Sequence, residues 1–337
     1  MLDERWPSDV AEMAAGLRSL LEKACGPEVV RAAESRPDGR DPALEDMVDA
    51  FGLWELPSSA PMLAAAAWEI GRALAPIPYP ETATVAAVLR IREASYGMEG
   101  AGPVPPTRTV VTDPAGDVHL VEVSGPGRRT TAGDLLSVPP ISYASSRAGG
   151  PADAERMKRL ARLVHAARMM GAAERMLESG VEYVKRRTQF GKPVGSFQAV
   201  AHRLADAAIA LDGATLLVRK AAWVSDPELG GDGAPSSAFA SMVWAKAVES
   251  GRIIVSAVHQ AMGGYGFAVE EDAQLFSRRI RSWAMRLPSP SPELAGFART
   301  LLDPAQHDAV RYLWQHDQGV QLPRWAAGTD EQFGSAG

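Results

Sequence analysis

The stretch Tyr183-Val184-Lys185-Arg186-Arg187-Thr188-Gln189-Phe190-Gly191-Lys192-Pro193, followed by Phe197-Gln198 and then Leu204-Ala205-Asp206, decides how this chain is read. Before it, Met157, Leu160, Val164 and Ala167 recur at steps of three and four, and after it Leu204, Ala208, Leu211, Thr215 and Val218 do the same. Both patterns predict long helices, with Ser196 expected as the N-cap of the second. Gly191 and Pro193 interrupt the helical run between them. The connection therefore carries a guanidinium, an amide and an aromatic ring close together. An arginine grips a diphosphate with paired charge-assisted bonds, and an aromatic ring stacks on a flat heterocycle. The same residues also suit a plain capped turn whose cations face the negative end of a helix. By itself the stretch does not choose between these readings.

A second stretch, His259-Gln260-Ala261-Met262-Gly263-Gly264-Tyr265-Gly266-Phe267, followed by Arg278-Arg279, lies about seventy residues further on. It closes a third long helix expected over about Ser237 to Met262, with glycine as the terminator. Glycines here let a backbone approach a ligand closely, and Gln260 sets an amide beside that backbone. The pattern matches neither the phosphate-loop nor the dinucleotide-fold template. Long helices joined by short connections make a bundle.

Working outward, residues from about 8 to 95 read as helices with short breaks. Val10, Met13, Leu17, Leu20 and Leu21 sit at helical spacing, an alanine-rich helix is expected over Ser59 to Leu74, and another over about Glu81 to Arg92. Between about 100 and 150 proline and glycine become frequent. Thr107 to Thr112 and Val118 to Val123 flank Asp113-Pro114-Ala115-Gly116-Asp117, which predicts a hairpin, with further short strands around Leu135 to Ile141. The expected fold class is mainly α with a small β layer (α+β). The expected domains are an N-terminal helical domain (1–98), a reduced β-domain (99–150), a C-terminal four-helix bundle (151–302) and a tail (303–337), in which Tyr312, Leu313 and Trp314 suit a short helix.

Composition narrows the function. A formal net charge of -6 with only short basic runs argues against a nucleic-acid partner. The longest apolar stretches are broken by charge, so no membrane span is expected. The amino terminus has no basic segment leading into an apolar one, and a cytoplasmic location is expected. The lone Cys25 forms no internal disulfide, and no Cys/His spacing fits a metal site.

Taken in order, the two motif stretches resemble the carboxyl-terminal domain of acyl-CoA dehydrogenases, over about residues 150 to 287, with a looser likeness over the first 95. That family carries an Arg-x-x-Phe-Gly turn, a following Phe-Gln, and later a Gln-x-x-Gly-Gly-x-Gly turn. The resemblance implies an FAD-dependent oxidoreductase acting on an acyl-CoA. It assigns Arg187, Gln189, Phe190, Gln260, Gly263 and Gly264 to the diphosphate and adenosine end of the flavin of a neighbouring subunit, and Arg162 to the substrate.

The chain also departs from the family. The usual glutamate base, about 27 residues after the motif glutamine, falls at Leu287, and the alternative position on the first long helix is Ala161. No residue is therefore assigned as the base. His165, one turn after Ala161, is the nearest substitute, although a packed or solvated histidine is the plainer reading. Thr112-Asp113-Pro114 only echoes a flavin-contacting segment, and the β region is about half the family length. This combination resembles the short, base-lacking subunit of bacterial heterotetrameric acyl-CoA dehydrogenases of the steroid side-chain type. It implies a longer homologous dehydrogenase subunit as partner, with a homo-oligomer using a relocated base, a flavin-free scaffold, and a related thioester enzyme as alternatives.

Overall fold

The apolar run beginning at Val10 forms α1 (Ser8–Ala24) in the computed structural model, which buries Val10, Ala14, Leu17 and Leu21 along one stripe. The structure describes residues 6–36, 39–92, 94–96, 108–122, 128–129, 135–136, 145–227 and 233–302. The expected 303–337 tail, including Tyr312 to Trp314, lies outside them. α2 (Pro27–Ser35) and α3 (Pro42–Ala50) each begin on a proline, where a missing backbone N–H is harmless. Asp41 caps α3 by accepting the Leu44 N–H at 3.0 Å.

α4 (Ala60–Arg72) follows its Ser59 cap, close to the expected span. α5 (Tyr79–Leu89) starts two residues before the expected helix because Pro80 fits a first turn. It ends earlier, at Arg90, whose φ of 61° leaves the helical region. The chain then forms a strand, β1 (Ala94–Tyr96), within a region read from sequence as helical to residue 95.

β1 pairs in parallel with β2 (Arg108–Thr112), which forms the expected hairpin with β3 (Val118–Glu122). The Asp113 carboxylate accepts the N–H groups of Ala115 and Asp117 at 2.9 Å each, which holds the turn. β4 (Arg128–Arg129) and β5 (Leu135–Leu136) make a separate short pair, and β6 (Ser145–Gly149) closes the main sheet in the order β1-β2-β3-β6. Of the strands expected around Leu135 to Ile141, the part beyond Leu136 lies outside the described residues. β6 lacks any apolar alternation, so its sequence carries no strand signal.

α6 (Pro151–Arg186) is a single helix of 36 residues and the axis of the molecule. Beyond it come β7 (Thr188–Gln189), β8 (Lys192–Pro193), α7 (Gln198–Val224), α8 (Ser237–Met262), α9 (Ala273–Trp283) and α10 (Ser291–Leu302). Ser196 is not the cap of α7: it ends a 3-10 turn, and its hydroxyl donates to the Pro193 carbonyl at 2.7 Å. The tight hairpin consumes residues that would otherwise extend the helix backwards to a serine cap.

α4 crosses α6 backbone to backbone. A Cβ on Gly71 would lie 1.9 Å from the Arg168 carbonyl oxygen, and one on Gly171 would lie 2.0 Å from that of Trp68. No side chain fits at either position. Around the crossing, Arg72 pairs with Glu174 and Glu178, and the Trp68 indole donates to Glu174 at 3.0 Å. The N-terminal helices are thereby anchored on the bundle, with Arg278 and Arg279 adding pairs to Glu34.

Candidate functional site

The first motif turn is a two-residue hairpin. Gln189 pairs with Lys192 across β7 and β8, leaving Phe190 and Gly191 at the tip with φ of 51° and 79°. Positive φ at both tip residues is the primed-turn pattern that matches strand twist. Glycine accepts it freely, but phenylalanine does not. The Phe190 ring is nevertheless 92% exposed and meets only the edge of Phe197, at 6.2 Å between centroids. Lys192 lies over the Phe197 ring at 4.3 Å. Arg187 is the exposed cap residue of α6 and its guanidinium makes no ion pair or hydrogen bond among the described residues. The Gln189 amide donates only locally, to the Thr188 carbonyl.

The second motif turn reaches the same end of the bundle. Tyr265 stacks on Tyr183 in the last turns of α6, with centroids 5.2 Å apart and planes 18° from parallel. This contact brings together two stretches that are distant in sequence. Gly263 leaves α8 at φ 63°, which ends the helix. Gly264 needs no positive φ, and a Cβ there would meet nothing within 4 Å. Nothing among the described residues requires a glycine at 264. Gln260, Gly263 and Gly264 are exposed, as are Tyr265, Phe267 and Val269. Four of the seven exposed large apolar side chains of the described residues, Phe190, Tyr265, Phe267 and Val269, thus gather on these two turns. Exposed apolar patches of this kind are common at interaction sites.

The residues that the resemblance assigns to the substrate and to the base are elsewhere. Arg162 is 1% exposed and donates to the Ser241 hydroxyl at 2.8 Å, tying α6 to α8. Arg187 follows it by 25 residues, about 37 Å along one helix at about 1.5 Å each. The two therefore line no common pocket within this chain. Ala161 and Leu287, the positions that carry a glutamate in the resembling family, are both buried. His165 is 1% exposed; burial first, then the Arg168 guanidinium, pushes its pKa down to about 3. Such a ring stays neutral at physiological pH and is a poor proton acceptor there.

One functional-looking feature escaped the sequence reading. Glu81 is 1% exposed, and its carboxylate accepts from Arg168 at 3.1 and 3.4 Å. Burial alone would raise its pKa, but the charges of Arg168 first and then Arg286 outweigh burial and hold it below the ordinary carboxylate range. A signal was available: Glu81 is the only charged residue in α5, and an unpaired carboxylate is almost never buried.

Comparison with known proteins agrees with the geometry. The family model for the acyl-CoA dehydrogenase C-terminal domain matches residues 150–285. The chain is 30% identical to the acyl-CoA dehydrogenase IpdE2 of Mycolicibacterium smegmatis, covering 82% of this chain and 93% of that protein. Among solved structures, the ChsE4-ChsE5 complex from Mycobacterium tuberculosis aligns with a TM-score of 0.76 at 22% identity, covering 90% of this chain and 99% of that one. A Tcur3481-Tcur3483 steroid ACAD variant aligns with a TM-score of 0.74 at 24% identity, covering 88% and 98%. The structural likenesses carry the fold. With the motif turns, the matched domain and the full-length relative, the chain belongs to the acyl-CoA dehydrogenase family of oxidoreductases.

Proposed function

We propose that this chain is the subunit of a two-chain, FAD-dependent acyl-CoA dehydrogenase that grips the adenosine side of its partner's cofactor and supplies no catalytic base. The carrying observation is the division along α6. Exposed, uncommitted polar and aromatic groups gather at one end, while Ala161, far along the same helix, and Leu287, after α9, are apolar and buried.

The residues suit that task. Arg187 is free to pair with a diphosphate, Phe190 presents an open ring face, and Gln260 offers an unengaged amide beside a backbone that Gly264 keeps bare. FAD, when bound, takes up the hydride released as a thioester is desaturated. The same desaturation requires a base beside the acyl carbon, and the longer homologous subunit supplies that base in this reading. The two-chain ChsE4-ChsE5 complex supports a heteromer, and the steroid ACAD supports lipid or steroid catabolism as the setting.

A homo-oligomer with His165 as relocated base is disfavoured by that ring's burial and low basicity. The deciding experiment is the visible absorption spectrum of this chain alone and after co-purification with a longer homologue. Flavin bands only in the complex, near one FAD per unlike pair, are expected. Stoichiometric flavin in the lone chain, reduced by an acyl-CoA, would overturn the proposal.

A further inference from the structure

A cluster of buried charged side chains joins the two segments, around Ala161 and Leu287, to which the resemblance assigns the family's base. Glu81 comes from the first turn of α5, His165 and Arg168 from α6, and Arg286 from the turn after α9. Arg168 donates to both Glu81 carboxylate oxygens, at 3.1 and 3.4 Å, and its Nη2 sits 3.1 Å from His165 Nδ1. Arg286 Nη1 lies 3.9 Å from the same carboxylate, and the Arg168 guanidinium covers the Trp283 ring at 4.3 Å.

The position of this cluster carries the inference. Arg168 stands seven residues after Ala161, on the same face of α6, and Arg286 is the neighbour of Leu287. Glu81 therefore touches a residue from each of the two segments in which the family places its base. Ala161 is 0% exposed and Leu287 5%, and both belong to the same buried core.

We propose that Glu81, His165, Arg168 and Arg286 form a lock that fills the acyl site of this chain, so that acyl-CoA is held by the partner subunit alone. This rests on the two-chain reading given above. The lock stays shut because opening it would separate two buried opposite charges without water to receive them. An acyl chain offers neither charge a replacement partner. Glu81 is also unsuited to be a third-position base. A carboxylate held by a guanidinium and kept below its ordinary pKa takes a proton from carbon poorly.

The test uses the co-purified complex and a CoA thioester carrying a diazirine on its acyl chain. After irradiation, label is expected on the longer subunit only. Label on this chain within residues 79–89 or 157–169 would overturn the lock. The flavin spectrum of the same sample reads the shared-cofactor proposal separately. Flavin present with this chain labelled sinks only the lock, and flavin absent with this chain unlabelled sinks only the shared cofactor. In a second arm, the Glu81→Gln complex is expected to melt at lower temperature while kcat stays within about two-fold of wild type. A loss of about 100-fold or more in kcat at an unchanged melting temperature would make Glu81 a base and overturn the lock. Should Glu81→Gln fail to fold, the labelling arm decides alone.

Discussion

The crossing of α4 over α6 and the hairpin at the end of α6 lie on the same helix and are held in opposite ways. At the crossing, every feature has a partner inside the chain: Gly71 faces the Arg168 carbonyl, Gly171 faces that of Trp68, and Arg72 is pinned by Glu174 and Glu178. At the hairpin, Phe190 is strained and exposed and Arg187 is unengaged, and in the neighbouring turn after α8 Gly264 sits in open space. Residues the fold needs can be explained from within the fold. Residues it does not need, or tolerates at a cost, direct attention to what lies outside the chain.

Substitutions can break or sharpen this contrast. Gly171→Ala puts a methyl 2.0 Å from a backbone oxygen, so the helices must part. A loss of at least about 4 kcal/mol in urea unfolding is expected, well beyond the helix propensity that alanine brings. A wild-type midpoint would show that the crossing has slack. Arg168→Ala strands the Glu81 carboxylate in the interior and should destabilise by about 3 kcal/mol. The double change Arg168→Met with Glu81→Leu should cost less than the single one, since no charge is left behind. A double loss equal to the sum of the losses of Arg168→Met and Glu81→Leu measured singly would mean the pair is not coupled.

Acidification gives a graded test. His165 is neutral in the fold down to about pH 3, whereas the unfolded chain protonates it near its ordinary pKa of about 6.5. Between those values the unfolded state binds more protons, so stability rises with pH and falls on acidification by about 1.4 kcal/mol per unit. Glu81, whose pKa is depressed, adds a loss in the same direction only at lower pH, as it protonates beside Arg168 and Arg286. His165→Asn should flatten the slope between pH 6.5 and 5; an unchanged slope would assign the proton to another group. The smallest stability effect is expected at the hairpin. Phe190→Gly relieves a left-handed phenylalanine and should leave stability unchanged or raise it by up to about 1 kcal/mol. The same variant should lose flavin from the complex, read as absorbance per unlike pair. Full flavin retention would remove Phe190 from the cofactor site.

Much of this molecule was legible before folding was considered. Helix spans follow from apolar periodicity, so α1, α4, α6 and α8 appear where Val10, the alanine run, Met157 and Ser237 place them. The hairpin at Asp113 and the two motif turns follow from local turn chemistry and glycine, which act over a few residues. The assignment of the family's base positions to Ala161 and Leu287 is an expectation that needed only counting. What required the tertiary structure is contact between residues distant in sequence. No local pattern joins Tyr183 to Tyr265, Gly71 to Arg168 or Glu81 to Arg286. β1 and β6 likewise exist because neighbouring strands supply their hydrogen bonds, not because their side chains alternate. Local propensity determined the elements of this protein. Burial, which sets pairing requirements in the interior that no single segment can meet, decided which of those elements touch.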